Sequence, residues 1–116
     1  MEAVARSRFQ RGSARKMSRI LDLIRNQPVP KAMATLDFLA KPSKATIVKT
    51  LKSAVANAMV KVGKAKIDEK DLYVKLATAD GAPMMKRFQA GPRGSASKIL
   101  RRTCHITITV ATKENV

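Results

Sequence analysis

The segment from Asp80 to Thr103 constrains the fold of this chain more than any other feature of the sequence. On both sides of it, in 72–79 and in 104–110, apolar residues alternate with other residues, which is typical of β-strands. A structureless loop longer than about 15 residues is uncommon inside a compact domain. We therefore predict that the two strands continue into this segment as the arms of a long, protruding β-hairpin.

The middle of the segment contains residues that favour a turn, namely Gly91, Pro92 and Gly94. About ten residues in each strand, at a rise of ~3.3 Å per residue, would place the tip roughly 30 Å from the body. The predicted arm covers residues 80–103. Because an isolated hairpin is only marginally stable in water, we expect this arm to become ordered mainly when a partner surrounds it.

Three helices are predicted in the first half of the chain, where apolar residues recur with helical spacing. Ser13 can cap the first helix, since its hydroxyl can accept a hydrogen bond from a free amide of the first turn. Pro28 ends this helix, and Pro30 suits the first turn of the second. The third helix follows Ser43 and reaches about Val62. The predicted apolar stripes are Ala14, Met17, Ile20, Leu21 and Ile24; then Ala32, Met33, Leu36 and Leu39; then Ile47, Leu51, Ala54, Val55, Ala58 and Val62.

Residues 2–10 are predicted to form one more strand. Successive side chains of a strand point to opposite faces, so Arg6 and Arg8 share an exposed face and Phe9 lies on the other face with the alanines. By the same rule, Leu76 shares a face with the other large apolar residues of the strand that precedes the arm.

Lys and Arg number 24 against 8 Asp and Glu in 116 residues, which gives a formal charge of +16. A charge this high destabilises the compact state through self-repulsion and attracts polyanions. Nucleic acid is therefore the predicted partner, ahead of an anionic membrane surface and of a merely solubilising excess. The acids Asp68, Glu69 and Asp71 are gathered in one loop, so we expect that side to face away from the polyanion.

Two basic clusters indicate where nucleic acid binds, one from Arg6 to Arg19 and one in the arm. Arginine is prominent in both, and it binds phosphate with a two-pronged geometry that lysine cannot copy. The scarcity of aromatic residues argues against stacking of single-stranded bases and favours recognition of the backbone and shape of folded RNA or a duplex. The predicted RNA contacts are Arg6, Arg8, Arg11, Arg15, Lys16, Arg19, Lys86, Arg87, Arg93, Lys98, Arg101, Arg102 and His105.

No catalytic, cofactor or metal site is predicted. The single cysteine excludes an internal disulfide and a multi-cysteine zinc site, and it suits a reducing compartment. Cys104 and His105 are neighbours on a strand and point to opposite faces, so they cannot easily act as a nucleophile and its base. A small hydrolase using His105 is a remote alternative. The run Gly91–Ser95 lacks the spacing of a nucleotide-binding loop and is predicted to be a turn.

Three motifs are distinctive: Ser53–Ala58 in the third helix, Lys86–Arg87 in the arm and Arg102–Thr107 in the last strand. Together with the order of the elements they resemble the L-twenty-two family of large-subunit ribosomal proteins, over essentially the whole chain. The resemblance implies an α+β fold with three helices packed on a small antiparallel sheet of about three strands, plus a long protruding β-hairpin. It also implies a single ribosomal-protein domain of residues 1–116.

The resemblance implies a structural role in translation and no enzymatic one. Members of the family bind large-subunit ribosomal RNA early in assembly, and their hairpin lines the nascent-peptide exit tunnel. The implied partners are this RNA, neighbouring large-subunit ribosomal proteins and the nascent peptide, with the protein a monomer within the ribosome and no membrane involved. The implied location is the cytoplasm, or the chloroplast stroma for an organellar form. The implied tunnel-lining tip is Met84, Met85, Lys86, Arg87, Phe88, Gln89, Ala90, Gly91, Pro92, Arg93, Gly94 and Ser95, with Lys86 and Arg87 at its basic wall.

The tip departs from the usual motif of the family, which is proline-arginine-alanine, any residue, then glycine-arginine-alanine. In the stretch Ala90–Ala96, two of the expected arginines are replaced by Gly91 and Ser95. The departure affects which contacts the tip can make.

The chief alternative is a DNA-architectural protein of the nucleoid. Such proteins also use basic arms and often insert an apolar wedge into the minor groove, for which Phe88 or Pro92 would serve. Sedimentation with large ribosomal subunits or with the nucleoid would distinguish the two functions.

Overall fold

The computed structural model describes residues 2–62 and 69–112. Within these residues, three helices and three strands follow each other in the order that the sequence predicts. The elements are β1 (Glu2–Arg11), α1 (Ala14–Ile24), α2 (Val29–Phe38), α3 (Lys44–Val62), a 3-10 turn (Glu69–Asp71), β2 (Leu72–Ala90), a second 3-10 turn (Pro92–Gly94) and β3 (Ala96–Thr112).

The helices pack the predicted apolar stripes into one core. Every stripe residue whose side chain is described is buried or packs against that core, which confirms the helical spacing. Ser13 occupies the N-cap position of α1 as predicted, although its side chain makes no capping hydrogen bond. Gly12, with a φ of +140°, makes the sharp connection from β1 to α1, and its amide donates to the carbonyl oxygen of Arg102 at 3.0 Å. This bond ties the start of α1 to the base of the arm.

The strands form one antiparallel sheet in the order β1-β3-β2, so the last strand of the chain is the central one. Alternation along β3 puts Ile106, Ile108 and Val110 in the core, each fully buried. His105 and Thr107 lie on the other face and are half-buried. Three helices on one face of this sheet, with the β2–β3 hairpin extending beyond it, confirm the predicted α+β fold class.

A bulge in β2 reverses one prediction from alternation. The register with β3 slips between Val74 and Leu76, so the strand gains one residue at Lys75. Beyond the bulge the faces exchange: Leu76 is 47% exposed and Ala77 is buried. The prediction that Leu76 shares a face with Leu72 and Val74 was therefore wrong.

Both outer edges of the sheet are occupied within the body. On the β1 edge, the Asn57 side-chain amide of α3 donates to the Val4 carbonyl oxygen at 3.0 Å. On the β2 edge, the Val74 amide donates to the Gln27 carbonyl oxygen at 2.9 Å, in the connection between α1 and α2. These contacts protect the edges from pairing with other chains. Within the described ranges the arm has no such cover, because beyond residue 82 only β2 and β3 pair there.

The arm gives the molecule its elongated shape. The described residues span 66 × 25 × 20 Å with a radius of gyration of 17.5 Å, whereas a compact chain of this length would have about 13 Å. Pairing between β2 and β3 continues to Ala90 opposite Ala96, which confirms the predicted hairpin. Pro83 lies in a second bulge of β2, where the missing amide of proline interrupts no ladder bond.

The turn at the tip lies where the sequence predicts it. The Gly91 amide donates to the carbonyl oxygen of Ser95, and the Ser95 hydroxyl donates to the Pro92 carbonyl oxygen at 2.8 Å. Arg93 and Gly94 adopt positive φ angles of 59° and 75°. A Cβ atom on Gly91 would lie 2.9 Å from the Ser95 oxygen, so only glycine fits the closed turn without a shift of the backbone.

Candidate nucleic-acid interface

The N-terminal basic residues of β1 lie on the face of the sheet that the helices leave uncovered. Ala3 and Ala5 are buried in the core, and alternation therefore turns Arg6 and Arg8 outward, where both are exposed. The register places Arg6 opposite Thr107, which faces the same way. The structure thus confirms that this face is open to solvent and basic along one edge.

The junction between the body and the arm brings together cations that are far apart in the sequence. Arg11, Arg101 and Arg102 line a shallow cleft of about 250 Å³ together with the turn that precedes α1. Arg15 and Arg102 line an adjoining cleft of about 270 Å³ with Met84. We call these four arginines the junction cluster. They converge because the Gly12–Arg102 hydrogen bond holds the first turn of α1 against the base of the arm.

The start of α1 adds to the positive potential of the junction cluster. The amides of a first helical turn carry a partial positive charge, and an acidic residue there usually compensates it. The first turn of α1 contains no acidic residue. Lys16 and Arg19 continue the basic surface along the exposed side of this helix.

The cations of the arm are distributed over both of its faces. The register pairs Lys86 with Leu100 and Phe88 with Lys98, and these four side chains share one face. Arg87 is paired with Ile99 on the opposite face. The neighbours Lys86 and Arg87 therefore point in opposite directions. Each face mixes positive charge with apolar surface, and Phe88 is 72% exposed.

Arg93 is the outermost cation, at the tip of the arm. It is exposed and lies between Pro92 and Gly94, in the left-handed conformation that closes the turn. The tip residues 84–95 are exposed except for Gly91, which is half-buried beneath the turn. Whatever surrounds the tip therefore meets almost every one of its side chains.

A bulge in β1 places the Phe9 ring on the face opposite to the one that alternation predicts. The register slips between Ser7 and Gln10, so that two residues of β1 face His105. Phe9 adopts a φ of +54° and is 63% exposed. A side chain in this backbone region costs on the order of 1–3 kcal/mol, so the surrounding contacts must hold it there. The prediction that Phe9 shares a face with the buried alanines was wrong, because strict alternation ignores the extra residue.

His105 supplies the contacts that hold Phe9. The Phe9 amide donates to His105 Nδ1 at 3.0 Å, and the ring centroids are 4.7 Å apart with an interplanar angle of 86°. Because an amide can only donate, Nδ1 is the acceptor and the proton lies on Nε2. The run Arg8-Phe9-Gln10-Arg11, an aromatic residue between cations, is the signal in the sequence that could have identified this position.

The ion pairs seen among the described body residues involve none of the predicted RNA-contact cations. Glu2 pairs with Lys75, and Asp22 pairs with Arg25. The Lys75 ammonium holds the pKa of the Glu2 carboxyl below its ordinary value, and Glu2 in turn raises the pKa of Lys75. Among the described residues, no predicted RNA-contact residue forms an ion pair. The acidic loop that was expected to face away from the polyanion lies mostly outside the described residues.

The structure provides no arrangement for nucleophilic catalysis at Cys104 and His105. As predicted, the two side chains point to opposite faces: Cys104 is fully buried, and burial raises the pKa of its thiol. In residues 2–62 and 69–112 there is no group of three or more His, Cys, Asp or Glu side chains placed to hold a metal ion. None of the helices in these ranges is long and apolar enough to cross a membrane.

Comparison with known proteins identifies a family and several relatives of this chain. Residues 5–111 match the family described as Ribosomal protein L22p/L17e. The chain is 42% identical over 116 residues to the large ribosomal subunit protein uL22 of Bifidobacterium animalis subsp. lactis, with 98% of each chain covered. It is 38% identical to the protein of that name from Chloroflexus aggregans, with 99% of each covered. The corresponding protein of Synechococcus sp. (strain RCC307) is 41% identical, with 97% of this chain and 93% of the relative covered.

The match favours the ribosomal function over the nucleoid and hydrolase alternatives. It runs from residue 5 of the basic N-terminal strand through the helices and both strands of the arm to residue 111. The chain belongs to the L22p/L17e family of ribosomal proteins, which are structural components and not enzymes.

Proposed function

We propose that this chain is a constituent of the large ribosomal subunit that binds and organises the RNA of that subunit during assembly. The observation that carries the proposal is the junction cluster: four arginines around the base of the arm, without an acidic partner among the described residues. Together with family membership, this points to RNA as the polyanion.

The mechanism is neutralisation of phosphate repulsion where RNA segments converge. Arginine side chains grip phosphate oxygens in pairs, and such contacts position RNA without reading its sequence. The junction cluster lies between the basic face of β1 and the arm, so RNA segments that contact both would be held close together. The proposed contacts are Arg6, Arg8, Arg11, Arg15, Lys16, Arg19, Lys86, Arg87, Arg93, Lys98, Arg101, Arg102 and His105.

The arm is proposed to thread between RNA segments and to line the nascent-peptide exit tunnel with its tip, residues 84–95. Its length, its exposed cations on both faces and its uncovered strand edges support this role. A two-stranded ribbon of this kind is marginally stable alone, so surrounding RNA would stabilise it. Its apolar side chains, such as Phe88, would then contact neighbouring ribosomal proteins or the passing peptide.

The remaining features of the proposal follow from the same assignment. The 116 residues act as one domain and one copy, within a ribosome in the cytoplasm or, for an organellar form, in the chloroplast stroma. The partners are large-subunit ribosomal RNA, neighbouring ribosomal proteins and the nascent peptide.

A competition experiment tests the RNA assignment. We expect the full chain to bind a transcript of large-subunit ribosomal RNA at low salt and to retain binding in the presence of duplex DNA of equal phosphate concentration. If duplex DNA displaced the ribosomal RNA as well as unlabelled ribosomal RNA does, the proposal would be contradicted, because binding would then depend on phosphate charge alone. In cell extracts, the chain should sediment with large subunits, and depletion should leave them incompletely assembled.

A further inference from the structure

We propose that the Phe9 ring is a stacking platform for one unpaired nucleobase of the RNA. This inference rests on the proposed function but adds a contact of a different chemical kind. The arginines bind the charged backbone, whereas a ring of this kind binds the face of a base. Every base has such a face, so the contact requires an unpaired base and not a particular one.

The geometry leaves the ring open to a ligand. Phe9 is 63% exposed, and among the described residues the ring it contacts is that of His105, in a perpendicular arrangement at a centroid distance of 4.7 Å. In a T-shaped pair, either the edge of Phe9 meets the face of His105 or the reverse. In both cases His105 covers at most one face of Phe9, and the high exposure of the side chain fits an open second face, which is all that a stacking base needs.

The ring is also held in place before any ligand arrives. The bulge turns it out of the sheet, and the hydrogen bond from the Phe9 amide to His105 Nδ1, at 3.0 Å, fixes the backbone beneath it. His105 therefore contacts both the ring and the main chain of Phe9. A pre-positioned ring loses little conformational freedom on binding, which favours its use as a contact.

The surrounding charges indicate a nucleobase and not an apolar protein segment as the occupant. Arg8 and Arg11, on either side of Phe9 in the sequence of β1, are both exposed, and Arg11 belongs to the junction cluster. No acidic residue lies between Glu2 and Asp22. Asp80 of β2 is paired with His105, so the central strand β3 lies between this acid and Phe9 of β1. The phosphates next to a stacked base would therefore find two exposed arginines on the same strand as the ring.

A tryptophan reporter tests the contact directly. The chain contains no tryptophan, so Phe9→Trp introduces a single one at the proposed platform. Phe38→Trp is the matched control, because Phe38 is 91% exposed at the end of α2 and has no ring partner in the described part of the chain. On titration with large-subunit ribosomal RNA, we expect stacking to quench the emission of Phe9→Trp strongly and that of Phe38→Trp little. Equal quenching, or none at position 9 while the RNA binds, would overturn the proposal.

The affinity of a ring-free variant provides an independent readout. Phe9→Leu should weaken binding to RNA with unpaired bases by about 5- to 150-fold, the range known for loss of one base stack. The dependence of affinity on salt should stay unchanged, because stacking neutralises no phosphate. Binding to a fully paired RNA duplex should not change. An equal loss on the duplex, or a flatter salt dependence, would overturn the stacking proposal, whereas failure of the unaltered chain to bind ribosomal RNA would instead refute the proposed function.

Discussion

Replacement of Arg101 and Arg102 by alanine should flatten the salt dependence of RNA binding without unfolding the protein. Both side chains are exposed at the base of the arm, and among the described residues neither forms an ion pair or a side-chain hydrogen bond. The substitutions therefore remove no internal contact that the structure shows. Only interactions with an external anion should be lost.

The size of the effect follows from the number of phosphates that the two side chains can reach. Arg102 lines both clefts of the junction cluster and Arg101 lines one, so we assign one phosphate to each. Each neutralised phosphate contributes about 0.7–0.9 to the magnitude of the slope of log K against log salt. The slope of the double variant should therefore be smaller in magnitude by about 1.4–1.8. When the salt concentration rises from 50 to 200 mM, the ratio of the RNA affinity of the unaltered chain to that of the double variant should consequently fall by roughly 7- to 12-fold.

Filter-binding titrations at four or more salt concentrations would measure both slopes on the same RNA transcript. The control is a variant with alanine at Lys31 and Lys49, which are exposed on α2 and α3. This variant loses the same amount of positive charge, but on the helical side of the protein. Circular dichroism would check that both variants fold. A slope that changes equally in the two variants would show that only net charge matters. An unchanged slope at positions 101 and 102 would remove these arginines from the interface.

Three further predictions concern the stability and chemistry of the body. Gly12→Ala should lower the unfolding free energy by about 1–3 kcal/mol in urea titrations, because the φ of +140° disfavours a side chain. Gly81→Ala is the control, since a Cβ atom there meets open space, and it should lower the unfolding free energy clearly less. Equal losses in the two variants would contradict the argument. Burial raises the pKa of the Cys104 thiol, so the folded state favours the protonated thiol. The unfolding free energy should therefore hold below pH 9.0 and decline above it, where the unfolded chain loses this proton more readily. For the same reason, iodoacetamide should react with the native protein far more slowly than with the unfolded one. The Lys75 ammonium lowers the pKa of Glu2, so their pairing stabilises the fold above pH 4.5 and this contribution is lost as the pH falls through the lowered pKa. The difference in thermal unfolding between Lys75→Met and the unaltered chain should therefore be largest near pH 7 and should shrink as the pH falls below 4.5; a difference that does not change with pH would contradict the argument.

The sequence by itself determined the elements and their order. Helical spacing of apolar residues and the prolines at 28 and 30 located the helices, because these signals act within a few residues of each other. Alternation on both sides of a long basic segment, with Gly91 and Gly94 in its middle, determined the hairpin and its turn. The net charge and the position of the arginines predicted a nucleic-acid partner from the sequence alone.

Only the tertiary structure decided which side chains meet and which faces they occupy. The bulges at Lys75 and at Phe9 arise from pairing with β3, and each exchanges the faces beyond it, so alternation read along one strand assigned Leu76 and Phe9 to the wrong side. The junction cluster likewise depends on pairings between distant segments, such as the Gly12–Arg102 hydrogen bond. The physical reason is the same in both cases. Register and long-range packing are properties of two segments together, and neither segment alone contains them.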